Sequence, residues 1–296
     1  MSTYRVSVNS LVAFTARAGD LDLRFTPAPS AIEGIAGHQI IRQRRRANYE
    51  SEVRLSGYYP GLEVSGRADG YDPNTNTLEE IKTHRSDLSR IPENQRAVHW
   101  AQAKMYGWML CQARGLSTIN IAVVYFNILS GEETSAPVCY SAKQLQSFFN
   151  LHSEKFLSWA EQETAHRERR NTSLEAMPFP HATYRTGQRD LAEKVFLAVR
   201  GEQALLAQAT TGIGKTLATI FPQLKAMGEC KIDRLFFLTA KTPGRQLALD
   251  AIETLRLACY DLQLRVLEHV ARDKACVYPD RACHGESCPL AAEIGR

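Results

Sequence analysis

The chain has 296 residues, 44% of them hydrophobic and 23% charged, which excludes an intrinsically disordered protein and leaves room for two domains. A net charge of +4 permits a polyanionic partner without requiring one. No apolar run reaches the ~20 residues of a membrane span, and the N-terminal residues MSTYRVSVNS lack the pattern of a secretion signal. We therefore expect a cytoplasmic protein with no membrane partner.

The first elements are two helices. Residues 9–18 have a helical pattern, and the prolines of TPAPS (26–30) interrupt it. Ser30 and Glu33 then form a capping box that begins a second helix. Four apolar residues of that helix fall on one stripe: Ile32, Ile35, Ala36 and Ile40.

Strands come next. Apolar and polar residues alternate over three segments: 52–56, 62–71 and 78–83. Asp72-Pro73-Asn74 marks a turn between the last two. The pattern then predicts a helix at 92–113, strands at 119–128 and 134–140, and a long helix at 142–168.

A linker is predicted at 169–183, because AHRERRNTSLEAMPFPHA is charged and then carries two prolines. It would separate domain 1–168 from domain 184–296. In the second domain, QALLAQATTGIGKTLATIFPQL predicts a buried strand, a glycine-bearing loop and a helix, and RLFFLTA (234–240) predicts the next buried strand. This order is typical of an α/β domain with a parallel sheet.

The segment ATTGIGKT (209–216) predicts a phosphate-binding loop, since it lies between a predicted strand and a helix. Ala209 replaces the first glycine of the usual pattern, and the alternative is a glycine turn without a ligand. In the predicted site, Lys215 reaches the β- and γ-phosphates of ATP and Thr216 holds Mg²⁺. The residues predicted to contact the nucleotide are Thr211, Gly212, Gly214, Lys215 and Thr216.

Two segments flank this loop: YRTGQRDLAEKVFLAV, which contains Gln188, and FLTAKT (237–242). Together with the loop they resemble the XPD/DinG family of iron–sulfur helicases. The resemblance implies that Gln188 reads adenine and that Lys241 and Thr242 contact single-stranded DNA. A solvated loop at 241–242 is the alternative.

The C-terminal residues are rich in cysteine. Seven cysteines without a secretion signal indicate metal ligands or buried thiols rather than disulfides. Cys276, Cys283 and Cys288 lie close together and predict a soft metal or an iron–sulfur cluster, with zinc as the chemical rival. The resemblance to the helicase family favours a [4Fe–4S] cluster.

A fourth ligand of that cluster is open, with Cys259 and His284 as candidates. In the helicase family the last cysteine would lie beyond Arg296, and no Asp-Glu pair follows a predicted buried strand as a Walker B motif. We therefore expect these residues to be the N-terminal part of a longer protein.

The segment GRADGYDPNTNTLEEIKTHR (66–85) places two acids and a lysine around a turn. If the turn is centred in the middle of DPNTNT, Asp69 faces Glu80 across an antiparallel pair, where like charges repel. Glu80 and Lys82, two residues apart, share one face of their strand. A divalent cation, Mg²⁺ or Mn²⁺, would relieve the repulsion. The alternative is a solvated strand face.

Other acidic residues nearby are considered as ligands of this cation. Glu79 lies on the opposite face from Lys82 and is therefore rejected. Glu50 and Glu52 could add contacts, although no pattern requires it. Cys111 and Cys139 are interpreted as core residues.

Two weaker pairs complete the pattern: Gly34-x3-His38 on the capped helix, where the glycine leaves room for close approach, and Gln102-x3-Tyr106 on the helix at 92–113. In this order the residues resemble the PD-(D/E)XK nucleases of the RecB-like branch. The resemblance implies that the metal is bound by His38, Asp69, Glu80 and the Ile81 carbonyl. It also implies that Lys82 assists water and that Gln102 and Tyr106 support DNA.

The expected fold is thus a PD-(D/E)XK mixed sheet flanked by helices, followed by the start of a P-loop motor domain with a cysteine-rich insertion. The expected function is an ATP-dependent DNA helicase, 5′→3′ by resemblance, fused to a metal-dependent nuclease in DNA repair or processing. Two alternatives stay open: a translocase whose nuclease domain only binds DNA, and a zinc-stabilised P-loop ATPase that does not act on nucleic acid.

Overall fold

The structure is a computed structural model that describes residues 3–22, 29–85, 87–240 and 242–292. The chain forms two compact units. The first comprises Met1–Ala160 and Val270–Arg296, and the second comprises Glu161–His269. Each unit is described separately.

The first unit is built on a seven-stranded mixed sheet. Its strands are β1 (Tyr4–Ser7), β2 (Glu50–Tyr59), β3 (Leu62–Asp72), β4 (Thr77–His84), β5 (Thr118–Asn127), β6 (Glu133–Thr134) and β7 (Val138–Ser141). The main order is β1-β3-β4-β5-β6, with β2 also paired to β3 and β7 to β5. The pairs β1/β3 and β4/β5 are parallel and the others antiparallel. The predicted mixed α/β fold is confirmed for this unit.

Helices cover both faces of this sheet. They are α1 (Val8–Thr15), α2 (Ala31–Arg44), α3 (Glu93–Arg114) and α4 (Ala142–Ala176). The larger core joins α1, α3 and the start of α4 to one face, with Leu11, Met109 and Phe149 fully buried. On the other face Ile41 of α2 packs with Ile81 and Phe126. Burying one such side chain contributes about 1.5–3 kcal/mol.

Helix α2 begins as predicted but buries a different face. The Ser30 hydroxyl accepts the Glu33 N–H, and the Glu33 carboxylate accepts the Ser30 N–H at 2.8 Å, so the capping box is confirmed. The predicted stripe is instead exposed, with Ile32 at 80%. Gly37 and Ile41 are the buried residues, because the helix approaches the sheet through its glycine.

Helix α4 is longer than predicted. It runs to Ala176, so residues 169–176 of the predicted linker are helical. The charged residues of this segment are good helix formers, and the first proline after Ala142 is Pro178.

The second unit is helical where it is regular. Besides the end of α4 it contains α5 (Gln188–Arg200), α6 (Lys215–Gly228) and α7 (Thr242–Ala258). Its main core joins Leu174, Leu217, Leu224 and Leu255.

The two strands predicted in this unit are wrong. Residues 203–210 and 234–239 have no regular structure, and Phe236 and Leu238 are 78% and 88% exposed. A strand needs hydrogen-bonding neighbours, and the described residues of this unit contain no strand to supply them. The predicted parallel sheet therefore does not form here.

The cysteine-rich segment belongs to the first unit rather than to the second. It contains one short helix, α8 (Arg272–Ala275). The Leu21 N–H donates to the Ala291 carbonyl at 2.7 Å, and Asp22 forms a β-bridge with His284. None of the helices in the described part of the chain has the length and apolar character that crossing a membrane requires.

Candidate functional site

The strands β3 and β4 bring Asp69 and Glu80 together. Their ladder pairs Gly70 with Glu79 and Asp72 with Thr77, so the turn is centred as predicted and the next position holds Asp69 and Glu80. The ladder stops there. Instead, Asp69 Oδ2 accepts the Ile81 N–H at 2.7 Å, which fixes the aspartate at the point where the strands separate.

Glu80 is a buried carboxylate with one unused oxygen. It is 5% exposed, its Oε1 accepts the Lys82 ammonium at 2.8 Å, and its Oε2 has no partner among the described residues. Burial raises the pKa of Glu80 to about 7; Lys82 opposes this rise and the nearby Asp69 carboxylate adds to it. Burial thus disfavours the ionised form of Glu80.

His38 reaches the same place from α2. Its Nδ1 lies 3.4 Å from Asp69 Oδ1. The close approach of α2 to β4 occurs at Gly37, where a Cβ would lie 2.6 Å from the Thr83 methyl. At Gly34, the glycine that the sequence singled out, the nearest atom would be 3.6 Å away. Gly37 therefore allows α2 to lie close enough to β4 for His38 to contact Asp69.

Glu79 points away from this site. Its carboxylate accepts hydrogen bonds from the Arg45 guanidinium at 2.8 Å and the Tyr49 hydroxyl at 2.9 Å. These partners satisfy it on the opposite face of β4, in agreement with the strand-parity argument.

Gln102 and Tyr106 lie on the side of the sheet covered by α3. Gln102 is buried and donates from Nε2 to Asn9 at 2.8 Å, so the structure places it in a contact between α3 and α1. Its Oε1 is buried without a partner among the described residues. Tyr106 lines the cleft and packs against Gly66, where a Cβ would lie 2.6 Å from its hydroxyl. Burial raises the pKa of Tyr106.

These residues line a cleft of about 620 Å³. It also contains residues that sequence reasoning did not assign, among them Arg67, His99 and Gln95. Glu52 joins them from β2, where it has a φ of +58°, uncommon for a non-glycine residue. Its carboxylate pairs with Arg42 and, at 2.5 Å, with Arg67. The sequence named Glu52 together with Glu50 as a residue that could add contacts, and it is Glu52 that lines the cleft.

The polar groups of the cleft suit a hard cation. Carboxylate and carbonyl oxygens are the ligands that Mg²⁺ and Mn²⁺ prefer, and Glu80 Oε2 is a buried oxygen that lacks a partner within the described part of the chain. No three His, Cys, Asp or Glu side chains of the described residues are already gathered as a metal cage. The groups here that could hold such a cation are His38, Asp69, Glu80 and the Ile81 carbonyl.

The predicted cysteine site is not assembled. Within residues 270–292, Cys276, Cys283 and Cys288 do not converge as metal ligands. Cys288 is buried, and the Cys276 sulfur accepts the Tyr278 N–H at 3.4 Å. Cys259 lies in the other unit, and His284 bonds Ser287 at 2.8 Å. Among the described residues of this segment no group of metal ligands is assembled, and the iron–sulfur cluster stays a prediction.

In the second unit the predicted phosphate loop precedes α6. Gly212 and Gly214 have φ of +88° and +79°, and Lys215 and Thr216 open the helix. The Lys215 ammonium donates to the carbonyls of Ala209 and Thr210 at 3.1 and 2.8 Å. Thr211 and Gly212 are exposed.

Gln188 supports this loop. Its Oε1 accepts the Arg185 N–H at 3.0 Å and its Nε2 donates to the Gly214 carbonyl at 3.3 Å, so the amide is buried within the unit. Of the predicted DNA contacts in the second unit, Lys241 and the side chain of Thr242 lie outside the described residues.

No protein-family model and no curated protein matches the chain. Among solved structures, it is similar to SSO0001, with 20% identity and a TM-score of 0.36 over 54% of this chain and 78% of that one. It is also similar to a protein named Putative exonuclease from Eubacterium rectale, with 15% identity and a TM-score of 0.30 over 40% and 49%. Likenesses this distant carry no functional conclusion, which has to come from the site.

Proposed function

We propose that the first unit hydrolyses phosphodiester bonds of DNA with the help of a divalent cation. The observation that carries the proposal is the buried Glu80 carboxylate, with its unpartnered oxygen, next to Lys82 and Asp69 in one cleft. Two acids and a lysine that line the same cleft are the groups that such metal-assisted hydrolysis uses. DNA is the substrate that the resemblance to RecB-like nucleases implies.

His38, Asp69, Glu80 and the Ile81 carbonyl would hold Mg²⁺ or Mn²⁺. When bound, the cation supplies a Lewis acid for a phosphate oxygen and makes water easier to deprotonate. A positive charge there also lowers the pKa of Glu80 and stabilises its ionised form, which burial disfavours.

Lys82 supplies the second positive charge. Its ammonium pairs with Glu80, and its side chain is 24% exposed and lines the cleft. From there it orients water and stabilises the negative charge that develops on the phosphate. Tyr106 and the Asn9-bound Gln102 support the wall formed by α3.

The test is metal-dependent cleavage of labelled DNA by Asp69→Asn and Glu80→Gln. Both variants are expected to lose about a hundredfold or more of the cleavage rate. Glu79→Gln is the matched control, because it neutralises the adjacent acid on the other face and should cleave like the wild type. Wild-type cleavage by Asp69→Asn would refute the proposal. DNA binding without cleavage by the wild type would leave a DNA-binding module instead.

For the second unit we propose nucleotide binding at residues 209–216. The supporting observation is that two glycines with positive φ lead into α6, with Lys215 folded over the loop. ATP phosphates would replace the carbonyls that Lys215 now contacts, and Thr216 would hold Mg²⁺. Gln188 and Arg185 would keep the loop in shape through Gly214 and Gly212.

Binding of a fluorescent ATP analogue tests this second proposal. Lys215→Ala is expected to weaken binding about tenfold or more, since a charge-assisted hydrogen bond contributes roughly 1.5–3 kcal/mol. Lys194→Ala, in the same unit and paired with Asp190, is the control. Equal affinity of Lys215→Ala and the wild type would refute nucleotide binding by this loop.

The resemblance to the helicase family implies one further activity. In a protein with a complete helicase motor, ATP hydrolysis would drive movement along DNA in the 5′→3′ direction. DNA-stimulated ATP hydrolysis would separate it from a P-loop ATPase without a nucleic-acid partner. Absorbance of the protein near 400 nm would indicate an iron–sulfur cluster at the cysteines, whereas bound zinc would not absorb there.

A further inference from the structure

An uncovered, positively charged sheet face leads to the cleft. In the ladder of β2 and β3, Arg54 is directly opposite Arg67, and both are exposed. Like charges directly opposite each other on a sheet are destabilising. Arg67 is paired with Glu52, whereas Arg54 has no hydrogen-bond or ion-pair partner among the described residues, so its guanidinium is available to bind an anion.

Arg67 lines the cleft, and Arg54 is its cross-strand neighbour. Arg67 is two residues before Asp69, a separation of about 6.6 Å along a strand, which is roughly that of neighbouring phosphates in a nucleic-acid chain. Its guanidinium is held at 2.5 Å by Glu52, which Arg42 anchors in turn. Arg67 is still 60% exposed, so it keeps donors available to a ligand.

The same face continues away from the cleft without large side chains. The next cross-strand pair is Ser56 with Ser65, and the one after it is Tyr58 with Glu63. Ser56 and Ser65 are exposed and small enough for a phosphate backbone to approach. Tyr58 is 65% exposed and offers a ring on which a base can stack. Glu63 is neutralised by Arg5 at 3.0 Å.

We propose that this face, defined by Arg54, Ser56, Tyr58, Ser65 and Arg67, binds the single-stranded DNA segment adjoining the scissile phosphate. The inference rests on the proposed nuclease function and adds the path of its substrate. Arg54 and Arg67 bind successive phosphates, which relieves their mutual repulsion, and Tyr58 stacks on a base further along the strand.

Arg54→Glu tests this path in the full chain, with a short fluorescent single strand and EDTA to prevent cleavage. The affinity is expected to fall about tenfold, as the loss of a charge-assisted contact predicts. The slope of log affinity against log salt should decrease by about 0.7, the value for one phosphate contact to a single strand. Arg54→Gln should show the same slope change with a smaller loss.

Lys143→Glu is the matched control, because it reverses an exposed charge of the same unit on α4. It should change the affinity less than about twofold, as a distant screened charge does at moderate salt. Arg54→Glu should unfold at the same or a higher denaturant concentration than the wild type, since the new carboxylate faces Arg67.

The outcomes separate this inference from the nuclease proposal. Wild-type affinity of Arg54→Glu, or an equal loss in Lys143→Glu, overturns the path, whether or not the protein cleaves DNA. Loss of affinity confined to Arg54→Glu and Arg54→Gln supports the path even if wild-type protein with Mn²⁺ cuts nothing, a result that would refute the nuclease alone.

Discussion

At the residue scale, the cleft is surrounded by groups whose charge is controlled by burial. His99 lines it and is nearly buried, with its Nδ1 3.1 Å from the Tyr125 hydroxyl. Burial lowers the pKa of His99 to about 3, and Lys82 and Arg96 add to the effect. The imidazole is therefore neutral in the folded protein and places no further positive charge beside Lys82.

The buried His99 should therefore make the first unit less stable as the pH falls. An unfolded histidine binds a proton near pH 6.5, whereas folded His99 does so only near pH 3. Between these values the unfolded state binds more protons, so the free energy of unfolding falls by about 1.4 kcal/mol per pH unit from this residue. Glu80, with its pKa raised to about 7, contributes with the opposite sign over this range. Urea unfolding from pH 7.5 to pH 4.5 of the wild type and of a variant without His99 therefore measures the contribution of His99 as a difference of slopes.

The variant His99→Phe should show a smaller loss of stability over the same range, even if it is less stable at pH 7.5. Tyr125→Phe is the control, because it removes the hydrogen-bond partner and retains the titrating ring, so its pH slope should match that of the wild type. Identical slopes in His99→Phe and the wild type would contradict a buried neutral histidine.

At the element scale, the site depends on how closely α2 approaches β4. Gly37 makes this approach possible, since a Cβ would lie 2.6 Å from the Thr83 methyl and 3.1 Å from the Phe126 ring. The adjacent residue, His38, contacts Asp69. The spacing Gly34-x3-His38 suggested a glycine with this role, but sequence could not show which of the two glycines faces the strand.

Gly37→Ala should destabilise the first unit by about 1–3 kcal/mol, because overpacking exceeds the gain in helix propensity. Gly34→Ala is the matched control: its nearest contact would be 3.6 Å, so it should be neutral or stabilise the helix by about 0.5–1 kcal/mol. Denaturant unfolding measures both.

Thr83→Ser removes the methyl group that obstructs a Cβ at position 37. Combined with Gly37→Ala, it should restore part of the lost stability, as expected for residues in contact. Equal stabilities of Gly37→Ala and Gly34→Ala would contradict a close contact between α2 and β4 at Gly37.

At the scale of the whole molecule, sequence patterns predicted the first unit better than the second. The strands β2 to β5 and the helix α3 lie within a few residues of their predicted positions, and the β3–β4 register is the predicted one. These elements alternate regularly and end at clear turns, and each finds a partner in the same sheet. The strand β1 was missed, because four residues carry too little periodicity.

What the sequence determined by itself was local: the capping box at Ser30, the turn that sets Asp69 opposite Glu80, and the shared face of Glu80 and Lys82. Tertiary structure alone decided which glycine admits α2, that Glu52 turns into the cleft, and that Arg54 meets Arg67 beside it. It also left residues 203–210 and 234–239 without strand structure. The reason is physical: local dihedrals and periodicity are encoded in neighbouring residues, whereas a strand or a binding site exists only when distant segments supply the other half of its contacts.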